Sequence, residues 1–225
     1  MRAKVTSFLL DDANLTKIEK DQALATSQSY YQLAWQYSQQ GQQHRREIVL
    51  MAGLSGSGKS TVAKQIAQIL PAIHIRSDAV RKHLGAVPLN KRGQANLYSQ
   101  AMTEKVYHSL QDLASLVIKS GFNVILDAKF DREQWRSPIV ELALREQLSL
   151  TIIHCDAPIE VLTKRLQSRQ GDVSDANETL LLLQTLDWED FTESEDPLVF
   201  YLDTSVVEGD HLPEELLRIF LPSSD

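Results

Sequence analysis

The chain has 225 residues, 43% apolar and 24% charged, with a formal net charge of −7; this is enough to bury the core of one α/β domain plus an extension. No apolar run approaches the ~20 residues needed to span a bilayer and no signal-peptide pattern opens the chain, so no membrane partner is expected. The single cysteine, Cys155, excludes an intramolecular disulfide and suits a reducing, cytoplasmic setting.

The negative total hides an asymmetry. Residues 46–171 hold 17 Lys/Arg against 11 Asp/Glu, whereas residues 172–225 hold 15 Asp/Glu against Arg218 alone. Basic charge thus falls where an anion would be held, and a long nucleic acid would meet an unfavourable field.

Residues 1–45 are polar and Gln-rich. Leu15, Ile18, Leu24, Tyr30, Tyr31, Leu33, Ala34 and Trp35 predict one or two amphipathic helices, a helical extension that ends near Ser38-Gln39-Gln40-Gly41. The second region, 46–225, alternates strand and helix. Strands are predicted at 47–52, 72–76, 122–126, 148–154 and 198–202. Helices are predicted at 61–70, 78–84, 94–119, 132–147, 157–169, 175–188 and 213–220. Such alternation predicts a parallel five-stranded sheet covered on both faces, a three-layer α/β/α fold, with ligands at the carboxyl ends of the strands.

The most specific motif follows the first strand. Gly53-Leu54-Ser55-Gly56-Ser57-Gly58-Lys59-Ser60 matches the phosphate-binding loop Gly-x-x-x-x-Gly-Lys-Ser/Thr in full and leads through Thr61 into a helix. Glycines let successive N–H groups turn inward onto phosphates, and the helix N-terminus adds its partial positive charge. Lys59 is expected to neutralise phosphate oxygens and Ser60 to ligate Mg²⁺, so the chain is expected to bind ATP or a related triphosphate.

Three further features fall at strand tips or on helices that could close over them. Phe122–Asp127 reads as an apolar strand delivering the Asp127 carboxylate to Mg²⁺, although buried strands also end in Asp for turn formation. Asp78 follows the second strand; it reads either as a helix cap or as the general base that takes a proton from an attacking hydroxyl, with Arg81 on the same helical face to orient an acceptor. Arg165 and Arg169, four residues apart, would lie one above the other on a helix, within a helical lid at about 160–190, and could swing onto a transferred phosphoryl group. His154 and Cys155 lack a second ligand pair, so no zinc site is expected.

Together, Gly53–Thr61, Ser77-Asp78-x-x-Arg81, Asp127-Ala128-Lys129-Phe130 and Arg165-x-x-x-Arg169 resemble the small P-loop kinases of the polynucleotide kinase, zeta toxin and gluconate kinase group. The resemblance implies a general base at Asp78, an acceptor-contacting Arg81, and lid arginines at Arg165 and Arg169. The pattern is most similar to the ATP-binding half of bacterial two-part proteins that pair an aminoglycoside phosphotransferase-like domain with a P-loop kinase. It is carried by Gly53–Thr61, Arg76–Lys82, Asp127–Arg132 and Gly171–Gln184, and Arg2–Val5 resembles the helix that ends their first domain. The sequence departs from that pattern in lacking the upstream domain and in placing Lys129 after Asp127-Ala128, so no acceptor identity carries over.

Two functions are open to such a chain. One is a Mg²⁺-dependent kinase acting on a hydroxyl of a small molecule, with Lys59, Asp78, Arg165 and Arg169 in catalysis and Arg81 and Arg132 on the acceptor. The other is an ATP-driven switch or interaction module whose N-terminal helices engage a protein partner. A polynucleotide 5′-hydroxyl kinase is disfavoured by the acidic C-terminal part and the lack of a basic-aromatic groove.

Overall fold

The computed structural model describes residues 2–12, 14–40, 46–91, 93, 95–168, 178–207 and 211–221. The chain divides into two compact units, Met1–His44 and Arg45–Asp225. The first is a pair of helices, α1 (Arg2–Phe8) and α2 (Lys17–Gln40), packed on each other. The second helix opens on a reciprocal cap. Thr16 N–H donates to Glu19 Oε2 at 2.8 Å, and Glu19 N–H donates back to Thr16 Oγ1 at 3.4 Å, satisfying two donors that the first turn would leave bare.

The second unit carries the parallel sheet. Its strands are β1 (Glu47–Ala52), β2 (Ala72–Arg76), β3 (Asn123–Asp127), β4 (Ser149–Asp156) and β5 (Val199–Asp203). They lie in the order β2-β3-β1-β4-β5, all parallel. Successive strands fall first on one side of β1 and then on the other, so the order reverses at β1. A parallel sheet opens a crevice beyond the strand tips at such a reversal, and the tip of β1 is where the Gly53 loop leaves it.

Two apolar layers cover the sheet. Helices α5 (Gln100–Lys119) and α6 (Glu133–Arg145) press Val106, Leu110, Ile118, Ile139 and Leu142 onto Ile48, Leu50, Val124, Leu126 and Ile152. On the other face α3 (Lys59–Ile69) and α9 (Glu214–Phe220) bring Val62, Ile66, Leu216 and Phe220 against Val49, Met51, Ile125 and Ile153. Alternate residues of one strand thus go to opposite layers, as the two-residue period requires. The three-layer α/β/α expectation holds. Helix α4 (Ser77–Leu84) follows β2, while α7 (Ile159–Ser168) and α8 (Glu178–Leu186) follow β4.

Most helix starts shift by one or two residues from the predicted ones, and those of α5 and α3 show what sets them. The helix predicted from Gln94 begins at Gln100, because Ser99 caps it by accepting the Met102 N–H at 3.3 Å and a 3₁₀ turn, Ala95–Tyr98, precedes it. The helix predicted from Thr61 begins at Lys59, within the glycine loop itself.

One buried ion pair ties the segment after α8 to helix α6. Arg136 has no exposure; its Nε donates to Glu195 Oε1 at 2.8 Å and its Nη2 to Glu195 Oε2 at 3.0 Å. The other donors reach the carbonyls of Phe130, Glu189 and Asp190 at 3.2, 3.1 and 2.9 Å. The guanidinium also lies over the Phe191 ring, 4.7 Å from its centroid. Removing one member of such a pair strands the other charge. Arg136→Met is therefore expected to cost about 3–5 kcal/mol in urea unfolding, and the double change Arg136→Met, Glu195→Leu to recover a large part of it.

Candidate active site

The glycine loop is held at both ends. Gly53 leaves β1 at φ 133° and donates its N–H to Lys129 O at 3.0 Å, and a Cβ there would overlap the Cys155 carbonyl. Only glycine satisfies both that backbone angle and that approach. At the far end Gly58, φ 83°, caps α3. Lys59 Nζ donates to the Gly53 and Leu54 carbonyls at 2.8 and 2.7 Å, which closes the loop into a cradle around the ammonium. The Ser57 side chain is buried within it.

Ser60 Oγ donates to Asp127 Oδ2 at 2.7 Å, which brings together the two residues expected to hold Mg²⁺. The same oxygen receives His74 Nε2 at 3.0 Å and faces Arg76 Nε at 3.7 Å. Asp127 is 4% exposed. Burial alone would raise its pKa, but the His74 and Ser60 hydrogen bonds and the Lys59 charge outweigh it and hold the carboxyl below its ordinary value. His74 was not anticipated as a site residue. A histidine between Ile73 and Ile75, two residues before Arg76, lies on the same strand face as Arg76, and that alternation was the available signal.

Asp78 sits in the first turn of α4. Burial pushes its pKa up against the lowering fields of Arg76 and Arg81. It faces a cavity of about 440 Å³ that is also lined by Lys59, Ser60 and Asp127. The acceptor-side expectations, Arg81 and Arg132, line the same cavity. Arg81 is 9% exposed and fixed: it donates to Leu97 O at 2.9 Å and Thr103 Oγ1 at 3.2 Å, and its guanidinium lies 5.3 Å from the Tyr98 ring centroid. Arg132 pairs with Asp187 at 3.2 Å. Lys129, the residue that departs from the motif, pairs with buried Asp131 at 2.6 Å. Trp135 forms part of the wall and stacks on Tyr107 at 4.5 Å and 7°.

Arg165 lies elsewhere. It donates to Thr204 Oγ1 at 2.9 Å, Thr204 O at 2.8 Å and Gly56 O at 3.4 Å, and lines a second cavity of about 320 Å³ with Gly56, Gly58, Thr61 and Thr204. The three bonds hold it on the outer side of the loop, away from the Asp78 cavity. Arg169 lies outside the described residues. Leu54 packs outward onto Leu162, Leu166 and Leu181, and Ser55 N–H donates to Gln184 Oε1 at 3.0 Å.

Cys155 is buried and its thiol is pushed up to about 12 by that burial, so it carries no nucleophile. Among the described residues no three His, Cys, Asp or Glu side chains gather as a metal cluster, and no helix is long and apolar enough to cross a membrane.

The depressed Asp127 pKa carries a stability consequence. A carboxyl whose folded pKa lies below its unfolded one adds stability above the unfolded value, and this is lost as pH falls through the folded value. The Tm gap between the native chain and Asp127→Asn is expected to be widest near neutrality and to narrow below about pH 4. Thermal unfolding at a series of pH values reads it; a constant gap would contradict the geometry.

The sequence matches the model of an AAA domain over residues 48–187, more than half of the chain. It is 32% identical over 149 residues to an uncharacterized protein of Mycobacterium tuberculosis and to another of Mycobacterium bovis, covering 63% of this chain and 30% of theirs. The chain therefore spans under a third of the length of these curated relatives. Among solved structures, a putative kinase from Chloroflexus aurantiacus superposes with TM-score 0.60 at 17% identity, covering 80% of this chain and 100% of that one. A gluconokinase from Sinorhizobium meliloti gives TM-score 0.53 at 20% identity over 78% of this chain and 90% of that one. A sugar kinase from Janibacter gives 0.52 at 24% over 77% and 90%. These likenesses show that the chain has the three-layer α/β/α fold of those structures, and by the match over residues 48–187 it belongs to the AAA domain family.

Proposed function

We propose that this chain is a Mg²⁺-dependent kinase that transfers the γ-phosphoryl group of ATP to a hydroxyl of a small molecule. One observation carries the reading: Asp78, a carboxylate whose burial raises its proton affinity, faces the same cavity as Lys59 and the Ser60–Asp127 pair. A hydrolytic switch needs the phosphate loop and the metal-side carboxylate. It has less use for a second, more basic carboxylate opposite them beside a volume of about 440 Å³, which falls in the range of small-molecule sites.

In this reading the loop N–H groups and Lys59 bind the phosphates, with Lys59 exchanging the Gly53 and Leu54 carbonyls for phosphate oxygens. Asp78 accepts the proton of the acceptor hydroxyl as that oxygen bonds to the γ-phosphorus. The bond to the bridging oxygen breaks, and ADP departs with the electron pair. Ser60 and Asp127 are hard oxygen donors of the kind Mg²⁺ takes from protein when water and phosphate oxygens supply the rest. When bound there the ion offsets phosphate charge. Arg81, immobilised by Leu97 and Thr103, and Arg132 orient the acceptor. Arg165 and Arg169 as arginines acting on the transferred group belong to the same proposal, with Arg165 entering from the Gly56 side. The kinase names of the fold relatives support this chemistry in kind. The finer likeness to the ATP-binding half of two-part phosphotransferase-like proteins is supported by the motif pattern and by relatives over three times as long as the stretch they share with this chain.

A metabolite pool incubated with γ-labelled ATP is expected to yield a labelled product with the native chain. With Asp78→Asn, turnover is expected to fall by at least ~100-fold, the usual reach of a positioned base, while ATP affinity changes little. Because the folded pKa of Asp78 is raised, its ionisation costs stability as pH rises through that value. Asp78→Asn is therefore expected to melt at a higher temperature than the native chain at neutral pH. Native turnover in the variant would refute the base assignment.

A further inference from the structure

Three contacts hold α7 and α8 against the outside of the phosphate loop. Leu54 packs on Leu162, Leu166 and Leu181. Gly56 lies so close to α7 that a Cβ on it would come within 2.9 Å of Leu162 O. Gln184, 8% exposed, accepts the Ser55 N–H through Oε1 at 3.0 Å. The first two are insensitive to charge. The third is not, because the Ser55 N–H belongs to a loop whose donors turn toward anions, and Ser55 and Gln184 line the cavity shared by Lys59 and Asp78.

The chain continues from Gln184 to the acceptor wall. Helix α8 ends at Leu186, and the next residue, Asp187, pairs with Arg132 at 3.2 Å, both lining that same cavity. An unbroken path thus runs from a loop N–H, through one side-chain amide and the last turn of α8, to an ion pair beside the acceptor space.

We propose that Gln184 is a positioning residue that couples the phosphate loop to the acceptor wall. Its carboxamide holds the Ser55 N–H until a terminal phosphate oxygen competes for that donor, and the displacement is passed along α8 to Asp187 and Arg132. Glutamine suits the task because it offers both an acceptor and two donors. Once its oxygen is displaced, the amide N–H groups can re-engage in the cavity, so neither state strands a buried polar group. Leucine would offer neither function, and glutamate would keep only the acceptor. The inference rests on the triphosphate-binding reading above.

The test is amide hydrogen exchange of residues 178–187 in the full chain, after calorimetry has established binding of ADP and of a non-hydrolysable ATP analogue. The analogue, and not ADP, is expected to change exchange in this segment by roughly fivefold or more, the lower end of ordinary coupling between sites. Gln184→Leu is expected to abolish the difference between the two nucleotides. Gln184→Glu, which keeps the acceptor oxygen, is expected to retain native protection of α8 in the nucleotide-free chain. Equal exchange with both nucleotides in the native chain overturns the proposal, as does a persisting difference in Gln184→Leu. Should Gln184→Leu fail to fold, the native comparison and Gln184→Glu decide it alone. Failure to bind either nucleotide would instead bring down the triphosphate reading, and this inference with it.

Discussion

A single carboxylate oxygen, Asp127 Oδ2, joins the three pieces of chain on which the site is built. It belongs to β3, it accepts Ser60 from the first turn of α3, and it receives His74 beside Arg76 from β2. Burying a carboxylate is costly unless its lone pairs are engaged; here two hydrogen bonds and a nearby guanidinium engage them. The consequence is positional. The phosphate loop is fixed at its start by Gly53 on Lys129 O and at its end by Ser60 on Asp127, so both anchors lie within three residues of the β3 tip. Any shift of β3 would move both ends of the loop together.

The arginines divide by what surrounds them. Arg136 is consumed by structure: it has no exposure and every donor is met by Glu195 or by a carbonyl. It fastens residues 189–195 under the α6 side of the sheet, and that segment follows directly on Asp187. Arg81 is mostly buried yet still faces the cavity, held by Leu97 and Thr103 as a rigid wall group. Arg165 is spent on Thr204 and Gly56. The wall of the Asp78 cavity therefore draws on residues near 81, 98–107, 127–135 and 184–187, stretches far apart in sequence that the sheet's upper edge brings together.

The fold was legible because its signals are local. Apolar strands of five to eight residues, helical spacing between them and a complete phosphate-loop motif each act within a short window, and the five strands fall close to where periodicity put them. Ser60 and Asp127 were both legible as candidate metal ligands, but the hydrogen bond that joins them spans 67 residues and was not. Helix starts were less so, as Ser99 shows: the cap that shortened α5 competes with a polar run that reads equally well as helix. The roles of His74, Gln184 and Thr204 were illegible for a different reason. Each acts through a partner 53, 129 or 39 residues away in sequence. No spacing rule reaches so far, and Thr204, which holds Arg165 beside Gly56, is announced by nothing in that arginine's own helix.

The loop from Gly53 to Ser60 also acts as a partition. Gly56, Gly58 and Thr61 face one hollow, with Arg165, Thr204 and Val207 opposite them, while Ser55, Lys59 and Ser60 face the other, with Asp78 and Trp135 across it. Beyond the loop and the first turn of α3, which both hollows share, their lining residues come from separate stretches of chain. A lineage can thus rewrite the Tyr98–Trp135 side through successive substitutions without disturbing the Thr204 side. Divergence in what one chamber admits need not cost fidelity in the other.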